Sequence, residues 1–177
     1  MKILRQSEYL TQPWKNGGGT TFEIARSPDG AGEWDWRVSM ALVENDGPFS
    51  FFPGVDRTIL LVEGEMTLTS PEGSHPLTAN TPFHFRGETP IEGRLHSPAA
   101  RDLNVMVRRE WGSVSVSVAP ARVLRGPAIA VALEDAGELQ RFDSLRVEAG
   151  ESHSMQGTGG ALFLLVEFAA PPPSVSE

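Results

Sequence analysis

Apolar residues recur at every second position along several short stretches of this chain. Over 34–43, Trp36, Val38, Met40 and Leu42 share one face, and Arg37, Ser39 and Ala41 share the other. That is the period-two pattern of a strand with one covered face. Over 102–109 the pattern repeats, with Leu103, Val105 and Val107 opposing Asp102, Asn104, Met106 and Arg108. Residues 58–62 form a continuous apolar run, which suits a strand covered on both sides. Gly64 then turns the chain, and 65–69 is predicted to pair back as a hairpin. Further strands are predicted over 20–25, 82–86, 91–96, 113–118, 128–133, 143–147 and 162–168. The chain's 18 glycines and 14 prolines punctuate these segments, and no long helical pattern is found. Many short strands separated by turn signals predict an all-β sandwich or barrel. The tail 169–177, with Pro171-Pro172-Pro173, is predicted to be flexible.

Composition narrows the partners. A length of 177 residues corresponds to one domain or two very small ones. The net charge of −8 argues against non-specific binding to nucleic acid or an anionic membrane. The chain has no cysteine, which removes disulfides, thiolate metal sites and cysteine nucleophiles together. The opening MKILRQSEYLTQPW lacks the apolar core of a signal peptide. No apolar run approaches the roughly 18 residues of a membrane helix. The expectation is a soluble, cytoplasmic protein.

Candidate chemistry is sparse. His75, His84, His96 and His153 are scattered with no HxH or HExxH spacing, so no metal is expected. No GxSxG is present. The stretch PWKNGGGT suggests a phosphate loop, but Lys15 precedes the glycines and the following TTFEIA alternates like a strand. Two readings of Gly17, Gly18 and Gly19 remain open: a tight turn, or a backbone passing close to a ligand. The polar faces carry Thr21 and Glu23, Arg37 and Ser39, Arg57, and Asn104, Met106 and Arg108. They face either water or a polar barrel mouth. If Trp36, Val38 and Met40 are buried between two sheets, Arg37 and Ser39 face inward. A guanidinium placed there forks onto a carboxylate in two parallel hydrogen bonds, which makes Arg37 and Arg57 candidate anion clamps.

PWKNGGGTTFEI, WRVSMALVENDGPFSFFPGVDRTILLVEGE and RDLNVMVRR resemble the HutD/Ves family of small bacterial proteins over most of the first 110 residues. The resemblance implies a cupin-like double-stranded β-helix fold with two halves forming a compact bicupin. The N-terminal half would be 1–110 and the degenerate C-terminal half 111–168, with strands exchanged between them, and 169–177 the tail. A metal-binding cupin carries a glutamate seven residues before the glycine that aligns with Gly64. Here that position is Arg57, and Phe51, Phe52 and Pro53 stand near where the histidines would be. Pro82 fits the second motif, leaving His84 as an isolated remnant. Such a site attracts an anion and repels a divalent metal, so neither metal nor cofactor is expected.

The implied function is binding of a small carboxylate, accessory or regulatory in bacterial histidine utilisation, with urocanate or N-formylglutamate as candidates. Lys15 and Asn16 would present donors at the rim, and Gly17 to Gly19 would admit the ligand to the backbone. Arg37 and Arg57 would neutralise the carboxylate. Glu23 and Asn104 would orient an amide or formyl group, Ser39 would add a hydroxyl, and Thr21, Met106 and Arg108 lie on the same faces. One alternative is a metal-independent isomerase or hydrolase with Glu23 as base and Lys15 or His84 as acid. Another, suggested by the stress link of Ves-like members, is a protein-interaction module. The Trp34/Trp36 strand is the candidate surface for a homodimer.

Overall fold

In the strand Trp36–Val43, alternate side chains meet two different environments, and this division organises the fold. The computed structural model describes residues 1–120, 123–155 and 158–169. In chain order the strands are β1 (Lys2–Leu4), β2 (Leu10–Pro13), β3 (Gly19–Ser27), β4 (Trp36–Val43), β5 (Gly47–Pro48) and β6 (Val55–Glu63). There follow β7 (Met66–Ser70), β8 (Gly73–Pro76), β9 (Phe83–Arg86), β10 (Glu92–Leu95), β11 (Ala100–Arg108) and β12 (Ser113–Pro120). The last are β13 (Val123–Arg125), β14 (Ala128–Ala132), β15 (Ser144–Val147), β16 (Ser152–Ser154) and β17 (Leu162–Ala169). A single 3-10 turn, Gln6–Glu8, is the one helical element described. No helix among the described residues is long and apolar enough to cross a membrane.

A six-stranded sheet runs β2-β3-β4-β11-β6-β9, and a five-stranded sheet runs β1-β15-β14-β17-β12. Smaller sheets, β5-β10-β7-β8 and β13-β16, accompany them. All pairings between these strands are antiparallel among the described residues. The two large sheets share one apolar layer. Trp36, Val38 and Met40 of β4 and Leu103, Val105 and Val107 of β11 lie in one buried cluster with Ile129, Val131, Leu164, Val166 and Phe168. Burying side chains of this size stabilises the fold by roughly 1.5–3 kcal/mol each. With those faces covered, Arg37, Ser39, Asp102 and Asn104 are turned to the opposite side of the six-stranded sheet.

The space behind each large sheet is filled differently. Behind the five-stranded sheet, Ala130, Leu145, Phe163 and Leu165 close against Leu124, Leu139 and Met155. Behind the six-stranded sheet, Ile59 and Leu61 pack on Met66, Leu68 and Ile91 at one end only. The other end carries polar side chains.

The short strands β1, β2, β5, β8, β13 and β16 fall outside the predicted set, because two to four residues leave no room for alternation to show. Ala169 was expected in the tail, but it ends β17 and pairs with Ser113; 170–177 lie outside the described residues. The first strand, β1, pairs with β15 through Lys2↔Arg146 and Leu4↔Ser144, so the N-terminus completes a sheet made of late residues.

The segment after β1 is pinned by Asp143. Its carboxylate accepts from Arg5 Nη1 at 2.8 Å and from the backbone N–H groups of Gln6 at 2.9 Å and Gln140 at 3.0 Å. Burial alone would raise this carboxyl, but the Arg5 bond and the two N–H donors hold it below the ordinary range. A carboxyl depressed in the folded state contributes stability above its unfolded pKa and loses it as pH falls through the folded value. Thermal midpoints measured from pH 6 to pH 2 therefore fall below about pH 4. Asp143→Asn lowers the midpoint at pH 6 and flattens the acid limb; an unchanged limb would show that other carboxylates govern acid unfolding.

Candidate functional site

Cross-strand register arranges the polar face of the six-stranded sheet in rows. One row runs Arg37–Met106–Arg57–Phe85. The next is Glu23–Ser39–Asn104–Ile59, and a third is Thr21–Ala41–Asp102–Leu61. A cavity of about 480 Å³ lies between these rows and the segment carrying Phe49, Ser50 and Phe52. The turn between β2 and β3 adds Trp14, Lys15 and Asn16 to its wall.

That turn answers the question posed by the three glycines. Gly17 has φ +70°, a conformation that favours glycine. A Cβ on Gly19 would stand 2.4 Å from the Leu42 carbonyl and 3.2 Å from the Trp14 ring, so the position requires a hydrogen. Asn16 Oδ1 accepts from Gly18 N at 3.0 Å, and Trp14 Nε1 donates to Thr21 Oγ1 at 2.8 Å. The glycines shape a tight turn that presents Trp14, Lys15 and Asn16, and are themselves absent from the cavity wall.

Arg57 is the central cation. It is 5% exposed. Its guanidinium lies over the rings of Phe85, Phe52 and Phe49, at 4.9, 5.3 and 5.6 Å from their centroids. Nη1 donates to the Ser50 carbonyl at 3.0 Å, while the buried Nε has no partner. No carboxylate oxygen of the described residues stands within 4 Å of it. Burial pulls its pKa down to about 10, against the opposing pull of Asp102, so it remains charged at neutral pH.

Arg37 is placed differently. Its Nε sits 2.7 Å from Glu23 Oε2 as an ion pair, out of line for a proper N–H···O bond. Its Nη2 donates to Gln12 Oε1 at 3.3 Å. Its charge is therefore compensated, and Arg57 is the cation in need of a partner.

Two acceptors face Arg57 from β11. Asp102 is 2% and Asn104 8% exposed, and both Oδ1 atoms are buried without a partner. Burial pushes the Asp102 carboxyl up to about 7, with Arg57 offsetting part of the effect. Unpaired buried polar groups are costly and rare. Three of them around one cavity mark a wall built to be completed by something else. The wall does not fit a divalent cation, since Lys15, Arg37 and Arg57 line it against the single carboxylate of Asp102. No group of three His, Asp or Glu able to hold a metal occurs among the described residues.

Of the residues singled out from the sequence, Lys15, Asn16, Thr21, Arg37, Ser39, Arg57, Asn104 and Met106 line the cavity. Glu23 does not; it lines a neighbouring groove, held by Arg37. Arg108 is directed away, its Nε donating to the Trp34 carbonyl at 2.7 Å and its guanidinium over the Trp34 ring. His84 is an exposed residue of β9 with Nδ1 2.7 Å from Thr58 Oγ1, and it does not reach the cavity. Sequence reasoning passed over Asp102, Trp14, Gln12 and the Phe49–Phe52 segment. Asp102 was findable, since it alternates in phase with Asn104 and Met106. Phe52 lies in the stretch that the family resemblance placed near the cupin histidine positions, but the segment has no periodic pattern to show that Phe49 and Phe52 face the cavity.

The family model for HutD matches residues 6–164. The chain belongs to the HutD family. A Pseudomonas putida relative, described as an uncharacterized 21.2 kDa protein in the hutC 3' region, is 34% identical over 85% of this chain and 88% of its own. Protein Ves of Citrobacter koseri is 38% identical over 60% of this chain and 57% of its own length. The solved structure of HutD from Pseudomonas fluorescens SBW25 superposes with a TM-score of 0.83 at 27% identity, covering 97% of this chain and 99% of that one. The HutD-family chain thus has an all-β, cupin-like fold.

Proposed function

We propose that this HutD-family protein binds a small carboxylate metabolite in the cavity above Arg57. The observation that carries the reading is Arg57 itself: a buried, charged guanidinium boxed by three phenylalanines, with an unpaired Nε and no carboxylate of the described residues at ion-pair distance. An anion entering there completes charge-assisted hydrogen bonds in a site of low dielectric. Lys15 and Asn16 supply donors at the rim, and Ser39 and Asn104 supply polar groups on the floor. In this reading the chain is a cytoplasmic bicupin, with halves 1–110 and 111–168. It serves bacterial histidine utilisation as an accessory or regulatory binder, in keeping with the hutC-region relative. Urocanate and N-formylglutamate are the first candidate ligands. The groups required by an enzymatic alternative do not converge: Lys15 is on the rim, Glu23 is tied to Arg37, and His84 is elsewhere.

Thermal denaturation with urocanate, N-formylglutamate, glutamate, formate and histidine tests the reading. A ligand that binds only the native state at about 100 times its Kd adds roughly 2.7 kcal/mol of stability. At least one acid is expected to raise the midpoint. No shift with any of them at millimolar concentration would move the weight to a protein-interaction module.

A further inference from the structure

We propose that Asp102 selects the ligand, accepting an N–H or O–H from the end opposite the carboxylate held by Arg57. The cavity then takes small acids bearing a polar hydrogen-bond donor and discriminates against acids of the same shape that lack one. This inference rests on the carboxylate reading of the site and adds the second pole of the ligand.

The argument starts from what the wall leaves unpaired. Arg57 Nε is a donor without an acceptor, while Asp102 Oδ1 and Asn104 Oδ1 are acceptors without donors. These groups do not satisfy one another, although all line one cavity. A carboxylate answers the first and has nothing to give the other two. An apolar tail would leave Asp102 buried and still unpaired, which is the arrangement that costs most. A ligand carrying an acid at one end and an N–H or O–H at the other satisfies all three. Arg57 and Asp102 stand two rows apart on the polar face, Arg57 opposite Met106 and Asp102 opposite Leu61, and both line the cavity.

Apart from its electrostatic pull on Arg57, Asp102 has no partner among the described residues. It makes no ion pair or hydrogen bond that would explain a carboxyl at 2% exposure, and its cross-strand neighbours are Ala41 and Leu61. A leucine would suit those neighbours better if packing alone were at stake.

Calorimetry with two pairs of probes tests the proposal on the full chain. Urocanate is compared with cinnamate, which keeps the acrylate and carries a phenyl ring in place of the imidazole, with no N–H. N-formylglutamate is compared with glutarate, which keeps both carboxylates but has no amide. The expected result is that the N–H-bearing member of at least one pair binds about ten- to a hundredfold more tightly than its partner. That preference survives in Asp102→Asn, which keeps a carbonyl acceptor, and collapses in Asp102→Leu. Asp102→Ala provides the same comparison if leucine is not accommodated. Equal affinities within both pairs, or a preference untouched by the apolar replacements, would overturn the role of Asp102 and leave the carboxylate reading standing. Failure of all four acids to bind the native protein would overturn both.

Discussion

Replacing Arg57 by alanine is expected to weaken the proposed carboxylate binding sharply. The expected loss is about 2–5 kcal/mol, the range for truncating one partner of a buried hydrogen-bonded charge pair. It corresponds to a roughly thirty- to several-thousand-fold rise in Kd. The size follows from the setting. The guanidinium is buried, its charge is uncompensated at ion-pair distance, and three rings hold it in one orientation. The anion therefore meets a cation that has already lost its water and its freedom. Arg57→Lys is not a rescue, because a compact ammonium lacks the planar fork and does not lie flat among three phenylalanine rings. Titration calorimetry of both variants, with circular dichroism to confirm folding, checks this. An affinity that does not change in Arg57→Ala would take Arg57 out of the site. Arg37→Ala is the informative contrast: its charge is already met by Glu23, so its loss weakens binding less.

Trp36→Ala has its main effect on the fold. Trp36 is 4% exposed and stacks on Phe168 with ring centroids 4.1 Å apart and planes 18° from parallel. Trp111 meets the same Phe168 edge-on at 6.3 Å, and the Arg146 guanidinium lies 5.5 Å from the Trp36 ring. The indole sits where the two large sheets share their apolar layer. Its removal opens a cavity that neither sheet can close by itself. The expected cost is about 3–5 kcal/mol, or a fall of roughly 10 °C in Tm for a chain of this length. Ligand affinity, measured well below the new midpoint, stays near that of the native protein, because the side chain of Trp36 points away from the cavity. A fall of only a degree or two would mean that the contact between the sheets is held elsewhere.

The fold was largely legible where alternation was strong. The faces of 34–43 and 102–109 could be separated from the residue order alone, because a strand sends successive side chains to opposite sides. This also made Arg37, Ser39, Asn104 and Met106 a coherent set before any geometry was known. The same rule should have added Asp102. Glu23 and Arg108 follow the alternation but miss the cavity. Glu23 lies just before a register shift in β3, between Glu23 and Ala25, and is captured by Arg37. Arg108 stands at the end of β11, where the Trp34 carbonyl and ring hold it.

The sequence by itself determined the longer strands and their two-sided character, because these depend on periodicity, while it left the Trp14 to Thr20 segment open between a tight turn and a backbone close to a ligand. Only the tertiary structure decided which polar face becomes a cavity and which of its charges is left unmet. Those are properties of what packs opposite. The five-stranded sheet covers one face of β4 and β11, the 49–52 segment lines the cavity on the other, and Glu23 reaches Arg37 while no carboxylate of the described residues comes within ion-pair distance of Arg57. Charge compensation depends on distances between strands far apart in the chain, and no local pattern encodes it.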